Sequence, residues 1–201
     1  MSQTVSKAKT IAILGAFTAL IAAISFLPIK TMGLEITLSM VPVAVGAICF
    51  GPAAGAYLGG VFGLVSFLQC FGWSAFGAVL LNINPWLTLL VCLPTRVLAG
   101  WLCGLIFRGF SKLQKGRAVG YPVASLAAAL LNTVFFMTTL ILCFYNTEYI
   151  QGFVTALGAA NPFIFVVLFV GINGLVELIA GAVLAAPCAV AVNKALSRLH
   201  A

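Results

Sequence analysis

The chain has 201 residues, of which 63% are hydrophobic and only 6% are charged. Soluble domains carry roughly 25% charged residues, so the composition excludes a soluble globular protein and predicts an all-α integral membrane protein. The net charge of +7 is not arranged as a basic stripe with interleaved aromatic residues. We therefore expect no nucleic-acid partner, and interpret the excess Lys and Arg as a topology signal.

Six apolar segments are long enough to span a bilayer if short or tilted helices are allowed, since a span needs about 20 residues. They form one membrane domain over residues 1–201, as a six-helix bundle with segments at about 10–28, 36–50, 52–70, 85–107, 118–146 and 161–190. Asn84-Pro85 and Asn161-Pro162 each predict a helix start, with Asn as the N-cap and Pro at the first helical position. Loops are expected at 29–35, 71–84 and 147–160.

The basic residues indicate that both termini are cytoplasmic, because Lys and Arg collect on that side of the membrane. With this orientation the cytoplasmic side carries Lys7, Lys9, Arg108, Lys112, Lys115, Arg117, Lys194 and Arg198. Lys30 is then the one basic residue expected outside, and Arg96 lies within the membrane.

Small residues recur at helical spacing in three of the segments, which allows close helix packing in lipid. The stripes are Ala12, Ala16, Ala19 and Ala23 on the first helix, Gly55, Gly59 and Gly63 on the third, and Gly100 and Gly104 on the fourth. We expect the glycines to pack helices within the bundle. The alanine face could do the same or could dock a partner protein.

Arg96 is the strongest candidate for a functional residue, because a charge within a membrane span is costly and usually functional. It lies eleven positions after Pro85, about 16 Å along the helix. Its planar guanidinium suits a substrate carboxylate. The alternatives are an ion pair with Glu177 or a contact between subunits.

Asn173 and Glu177 lie one helical turn apart in the last segment, and Asn173 is at the same depth as Arg96. They could contact a ligand, or satisfy each other and Arg96. Further candidates lie in the predicted loop at 71–84, directly after it, or within predicted helices. They are Trp73, Asn82, Asn84, Trp86, Gln69 and Asn132. For these the alternatives are interfacial anchoring by Trp, helix capping by Asn84, and hydrogen bonds between helices for Gln69 and Asn132.

Several motifs are absent from the sequence. It has no P-loop, no His-Glu-x-x-His, no Asp, and only one His, at position 200. The six cysteines form no Cys-x-x-Cys, and we interpret them as small apolar residues. We expect no catalytic residues, no metal and no cofactor, so an enzyme is the least favoured class.

The order of short motifs along nearly the whole chain resembles the S components, the substrate-binding membrane subunits, of energy-coupling-factor (ECF) vitamin transporters, which belong to the ABC importers. The motifs are Ala12-Ile-Leu-Gly-Ala16, Ile36-Thr-Leu-Ser-Met-Val-Pro42, Leu93-Pro-Thr-Arg96 and Asn173-Gly-Leu-Val-Glu177. This resemblance implies a multi-pass protein of the prokaryotic cell membrane with a vitamin pocket open to the outside. It also implies that the Ala12/Ala16 face docks on a transmembrane coupling subunit driven by two ATPase subunits.

Asn82-Ile-Asn-Pro85, followed by Pro94-Thr-Arg96, is most similar to the pantothenate-type members. Riboflavin-type members carry an acid before Ser39 that this chain lacks. Folate stays open as a carboxylate substrate. Only Glu177 favours thiamine. Two other classes stay open: a stand-alone secondary transporter, which the scarcity of carboxylates disfavours, and a structural membrane scaffold.

Overall fold

The computed structural model describes residues 7–26, 38–112 and 116–198, and for a few residues within these ranges, including Asn173 and Arg117, only the backbone. Its helices are α1 (Lys7–Ser25), α2 (Met40–Phe50), α3 (Pro52–Gln69), α4 (Ala75–Ile83), α5 (Pro85–Phe110), α6 (Gly116–Phe144), α7 (Glu148–Ala156), α8 (Pro162–Ala180) and α9 (Ala186–Arg198). A π-helical turn, Gly181–Ala185, joins α8 to α9. Lys30 and Lys115, which entered the topology prediction, lie outside the described residues.

Within the described ranges, five helical segments are long and apolar enough to cross a membrane: Ala8–Ser25, Pro52–Gln69, Pro85–Phe110, Ala118–Phe144 and Gly174–Arg198. Two shorter apolar helices accompany them, Met40–Phe50 and Pro162–Gly171. The described part therefore has the composition and the helices of a multi-pass membrane protein.

Two of the predicted loops, 71–84 and 147–160, contain the helices α4 and α7. The prediction of loops is therefore wrong over these two helices. Ser74 caps α4 by accepting a hydrogen bond from Gly77 N, and Thr147 caps α7 by accepting one from Ile150 N. Each helix also buries apolar side chains against the bundle. The Gly and Asn residues of these segments favoured loops, whereas burial of the apolar side chains stabilises short helices.

The last predicted segment, 161–190, is not one continuous helix. Gly171 interrupts it with φ 29° and ψ −116°, a backbone conformation that favours glycine. The π-helical turn then adds a second irregularity. The helix starts at Asn84-Pro85 and Asn161-Pro162 are confirmed, because each Asn side chain accepts hydrogen bonds from the first turn of its helix.

Helices α3 and α5 touch backbone to backbone along what we call the glycine seam: Gly55, Gly59 and Gly63 of α3 against α5. A Cβ added at Gly55 would overlap the Gly100 carbonyl, and one at Gly59 would overlap the Arg96 carbonyl. At Gly63 it would lie 2.8 Å from the Cys92 carbonyl oxygen. The prediction that the glycines pack helices within this chain is confirmed.

A cluster of aromatic and aliphatic side chains occupies the end of the bundle that carries α4 and α7. We call this the aromatic end. Phe76 of α4 lies 5.7 Å from both Tyr149 and Phe169, measured between ring centroids. Phe165 stacks on Phe169 at 5.0 Å. These contacts attach the short helices to α8 and close the bundle at this end.

Candidate functional site

A cavity lies between the glycine seam and the aromatic end. Residues from α3, α4, α5, α6 and α8 line it. The lining residues include Ser66, Gln69, Cys70, Ser74, Phe76, Thr88, Cys92, Arg96, Asn132, Thr133, Phe136, Met137, Gly174 and Glu177. Most of the wall's surface is apolar, although eight of its side chains are polar or charged. Polar groups that converge on one space within a largely apolar wall are typical of small-molecule sites.

Arg96 lies in this wall and is only 6% exposed. One terminal guanidinium nitrogen, Nη1, donates to the carbonyl oxygens of Val91 at 3.2 Å and Cys92 at 2.9 Å. The guanidinium carbon lies 4.8 Å from the ring centroid of Phe62 and 5.3 Å from that of Phe136. These contacts hold the charged group in place through its own helix and two aromatic rings.

Two buried polar atoms in the wall have no hydrogen-bond partner in the part of the chain that the structure describes. They are Arg96 Nε, a donor, and Asn132 Oδ1, an acceptor. A buried polar atom without a partner destabilises a protein by about 1–3 kcal/mol. A ligand that offers both an acceptor and a donor would remove this penalty.

Glu177 of α8 also lines the cavity and is near enough to Arg96 to interact with it electrostatically. The cavity therefore contains a cation and an anion, together with neutral polar groups. The side chain of Asn173, which the sequence placed beside Glu177, lies outside the described residues.

Gln69 lines the cavity but uses its amide nitrogen elsewhere. Its Nε2 donates to the backbone oxygen of Ser25 at the end of α1, and the Ser25 hydroxyl pairs with that of Ser39 at 2.7 Å. The predicted hydrogen bond between helices is confirmed for Gln69. It ties the cavity wall to α1 and to the start of α2.

The four candidates nearest the predicted loops do not line the cavity. Trp73 is exposed and packs edge-on against Phe26 at 5.2 Å. Asn84 caps α5, accepting from Trp86 N at 3.0 Å and Leu87 N at 3.2 Å. Asn82 and Trp86 are exposed. Ligand contact by these residues stays a prediction.

Sequence reasoning missed several polar groups of the wall, among them Thr88 and Cys92. Both lie on the face of α5 that carries Arg96, at intervals of four residues. Residues four apart share a helix face, so counting back from Arg96 would have found them. Ser66 lies on α3 and Ser74 caps α4, and no local pattern relates either position to Arg96.

The fold has the helices of a multi-pass membrane protein, and it encloses a cavity lined by apolar, polar and charged side chains. Residues 9–189 match the family described as "ECF transporter, substrate-specific component", and the chain belongs to this family. Such components are transporter subunits and not enzymes, bind small vitamins, and work with a membrane coupling subunit and ATPases. The protein is therefore located in the cell membrane.

A curated relative is similar over most of both chains. It is the pantothenic acid transporter PanT of Lactococcus lactis subsp. cremoris (strain MG1363). The two sequences are 28% identical over 183 residues, which cover 81% of this chain and 90% of the relative.

Proposed function

We propose that this chain is the pantothenate-binding subunit of an ECF-type importer, and that the vitamin binds in the cavity beside Arg96. Pantothenate carries a carboxylate, an amide and hydroxyl groups. The carboxylate pairs with Arg96, and a hydroxyl or amide N–H donates to Asn132. The observation that carries the proposal is the presence of an unpartnered donor, Arg96 Nε, and an unpartnered acceptor, Asn132 Oδ1, in one cavity wall.

The similarity to a pantothenic acid transporter supports the choice of vitamin. Glu177 lies close enough to balance the charge of Arg96 when no carboxylate is bound. Gln69 and the hydroxyls of Ser66, Thr88 and Thr133 complete the polar part of the wall.

The importer assembles through α1, whose alanine stripe faces away from the bundle. Ala12, Ala16, Ala19 and Ala23 are all exposed. This surface of small side chains allows a helix of the coupling subunit to approach closely. In this proposal the chain crosses the membrane six times with both termini in the cytoplasm, and two ATPase subunits supply the energy.

Calorimetric titration of the purified chain with pantothenate, folate, riboflavin and thiamine tests the substrate. We expect saturable binding of pantothenate alone. Arg96→Met should weaken it about 100-fold, or about 2.7 kcal/mol, because a charged hydrogen-bond partner is lost. Arg96→Lys keeps the charge but loses the planar fork, so its affinity should lie between that of the wild type and that of Arg96→Met.

Arg108→Met is the matched control, since Arg108 is exposed in the last turn of α5. It should bind pantothenate like the wild type. Equal affinity of Arg96→Met and Arg108→Met would show that the site is wrong. Saturable binding of folate or riboflavin instead would show that the vitamin is wrong.

Reconstitution in liposomes tests the partners. The chain alone should not transport pantothenate along an ion gradient, whereas the complex with the coupling and ATPase subunits should do so with ATP. Ala16→Leu should prevent copurification with the coupling subunit and leave vitamin binding intact. Ala53→Leu, at an exposed position of α3, should assemble normally.

A further inference from the structure

A cleft that shares no described lining residue with the candidate functional site lies where the last two turns of α5 meet the α2–α3 junction and α9. This is the end of the bundle opposite the aromatic end, since α4 adjoins the start of α5. The lining combines apolar and polar side chains. They include Ile48, Pro52, Phe107, Arg108, Ser111 and Asn193.

The length of α5 brings this cleft to the surface of the bilayer. The helix has 26 residues, which is about 39 Å at about 1.5 Å per residue, whereas the hydrocarbon core is about 30 Å thick. Arg108 is exposed in its last turn, and a charged side chain is costly within the hydrocarbon. The cleft therefore lies at the level of the lipid headgroups.

The charges around the cleft are positive. Lys112 and Lys194 each directly follow a lining residue in the chain, and both are exposed. Of the carboxylates that the structure describes, Glu148 begins α7 at the aromatic end and Glu177 lies in the wall of the candidate functional site. The cleft thus attracts anions, and no described carboxylate lines it to pair with Arg108.

The Arg108 side chain is not needed to cap its own helix. The Ser111 hydroxyl donates to the Arg108 carbonyl at 2.9 Å, and Ser111 N donates to the Phe107 carbonyl at 2.9 Å. Lys112 N donates to the Gly109 carbonyl at 3.3 Å. Because these groups satisfy carbonyls of the last turn, the guanidinium donors stay available for another acceptor.

Close packing fixes the shape of the cleft. A Cβ added at Gly104 would lie 2.6 Å from the Pro52 Cα, so the backbones of α5 and α3 meet beside it. The Asn193 amide nitrogen donates to the Tyr121 hydroxyl at 3.1 Å, and the Tyr121 ring lies 5.0 Å from that of Phe107. These contacts hold α9, α6 and α5 together and leave the second amide hydrogen of Asn193 for a ligand.

We propose that this cleft binds an anionic phospholipid of the membrane. Its phosphate group pairs with Arg108, whose planar fork suits phosphate oxygens, and accepts a hydrogen bond from Asn193. An acyl chain lies against the apolar lining, which a soluble phosphate would leave uncovered. Basic pockets between membrane helices commonly bind anionic headgroups in this way.

Native mass spectrometry of the full chain in dodecyl maltoside tests the proposal with phosphatidylglycerol, which is anionic, and phosphatidylcholine, which is zwitterionic, both with the same acyl chains. We expect the wild type to bind phosphatidylglycerol about fivefold more tightly, because only this lipid carries a net charge. Arg108→Met should lose the preference. Arg108→Lys keeps the charge, so it should retain most of the preference and show that substitution at this position is tolerated.

Arg198→Met is the matched control, since Arg198 is basic in the last turn of α9, is exposed and does not line the cleft. It should prefer phosphatidylglycerol as the wild type does. Glycerol 3-phosphate, which has the anionic phosphate without acyl chains, should not displace the lipid at equal concentration.

Equal binding of the two lipids by the wild type would overturn the proposal, as would a preference that persists in Arg108→Met. An equal loss in Arg108→Met and Arg198→Met would also overturn it, because the lipid would then respond to the basic end of the bundle as a whole. Displacement by glycerol 3-phosphate would show that the cleft takes a soluble phosphate instead. The test needs no vitamin, so its outcome is independent of the proposed function.

Discussion

Helices α3 and α5 are in contact along one stretch, and they separate along the next stretch, where the cavity lies between them. In the glycine seam, Gly55 and Gly59 let the two backbones meet. Beyond Gly63, α3 continues with Ser66 and Gln69, whose side chains line the cavity instead. Arg96 lies at the transition, since its carbonyl packs on Gly59 while its side chain lines the cavity. The close contact between the two backbones thus supports the position of Arg96, and functional groups need such rigid support.

The largest expected effect comes from opening the seam. Gly59→Ala places a methyl group on the Arg96 carbonyl, and overpacking against backbone should destabilise the protein by about 3 kcal/mol. Gly60→Ala is the matched control, because its new Cβ would lie 3.6 Å from a Val97 methyl group, an ordinary contact. Thermal unfolding in detergent should show a much lower Tm for Gly59→Ala only. Equal Tm values for Gly59→Ala and Gly60→Ala would contradict the close backbone contact at Gly59.

On the cavity side, polar groups should serve binding at the expense of stability. Asn132→Leu removes a buried acceptor without a described partner, so it should weaken pantothenate binding about tenfold, or about 1.4 kcal/mol. Its Tm should stay equal or rise, because the desolvation penalty disappears. Calorimetry and thermal unfolding check both effects.

Ser125→Ala is the control for Asn132→Leu. The Ser125 hydroxyl is likewise buried without a partner among the described residues, but it lines a different, smaller cavity. This variant should keep its stability and its affinity. A tenfold loss of affinity in Ser125→Ala would show that the two cavities act as one site.

Gln69 connects the two regions to α1, and its loss should have a smaller effect. Gln69→Leu removes the bond to the Ser25 carbonyl and should destabilise the protein by about 1.5 kcal/mol, with weaker vitamin binding. Gln151→Leu removes a comparable bond, to the Tyr145 carbonyl at 2.7 Å, at a residue that does not line the cavity. If calorimetry gave both variants the same affinity, Gln69 would serve packing alone.

The smallest expected effect is at Asn84, outside both regions. Asn84→Ala removes the cap of α5 and should lower stability by about 1 kcal/mol, with unchanged pantothenate affinity. Asn84→Asp keeps a capping oxygen and should preserve the Tm. A large loss of affinity in Asn84→Asp would indicate that the Asn side chain contacts the ligand after all.

Part of the site could be predicted from the sequence, because single residues carried the signal. Arg96 stood out as a charge in an apolar span, and the structure places it in the cavity wall. Gln69 and Asn132 stood out as polar residues in apolar runs, and they also line it. Trp73, Asn82, Asn84 and Trp86 were chosen for their place near a helix end, and that alone does not determine which side chains line a cavity.

The sequence by itself determined the membrane class and the starts of α5 and α8, because hydropathy acts within a single span and N-caps act within a helical turn. Only the tertiary structure decided that α4 and α7 are helices and that Gly171 interrupts α8. It also decided that Gln69 bonds to the Ser25 carbonyl at the end of α1. These partners are far apart in the chain, and the packing of whole helices brings them together.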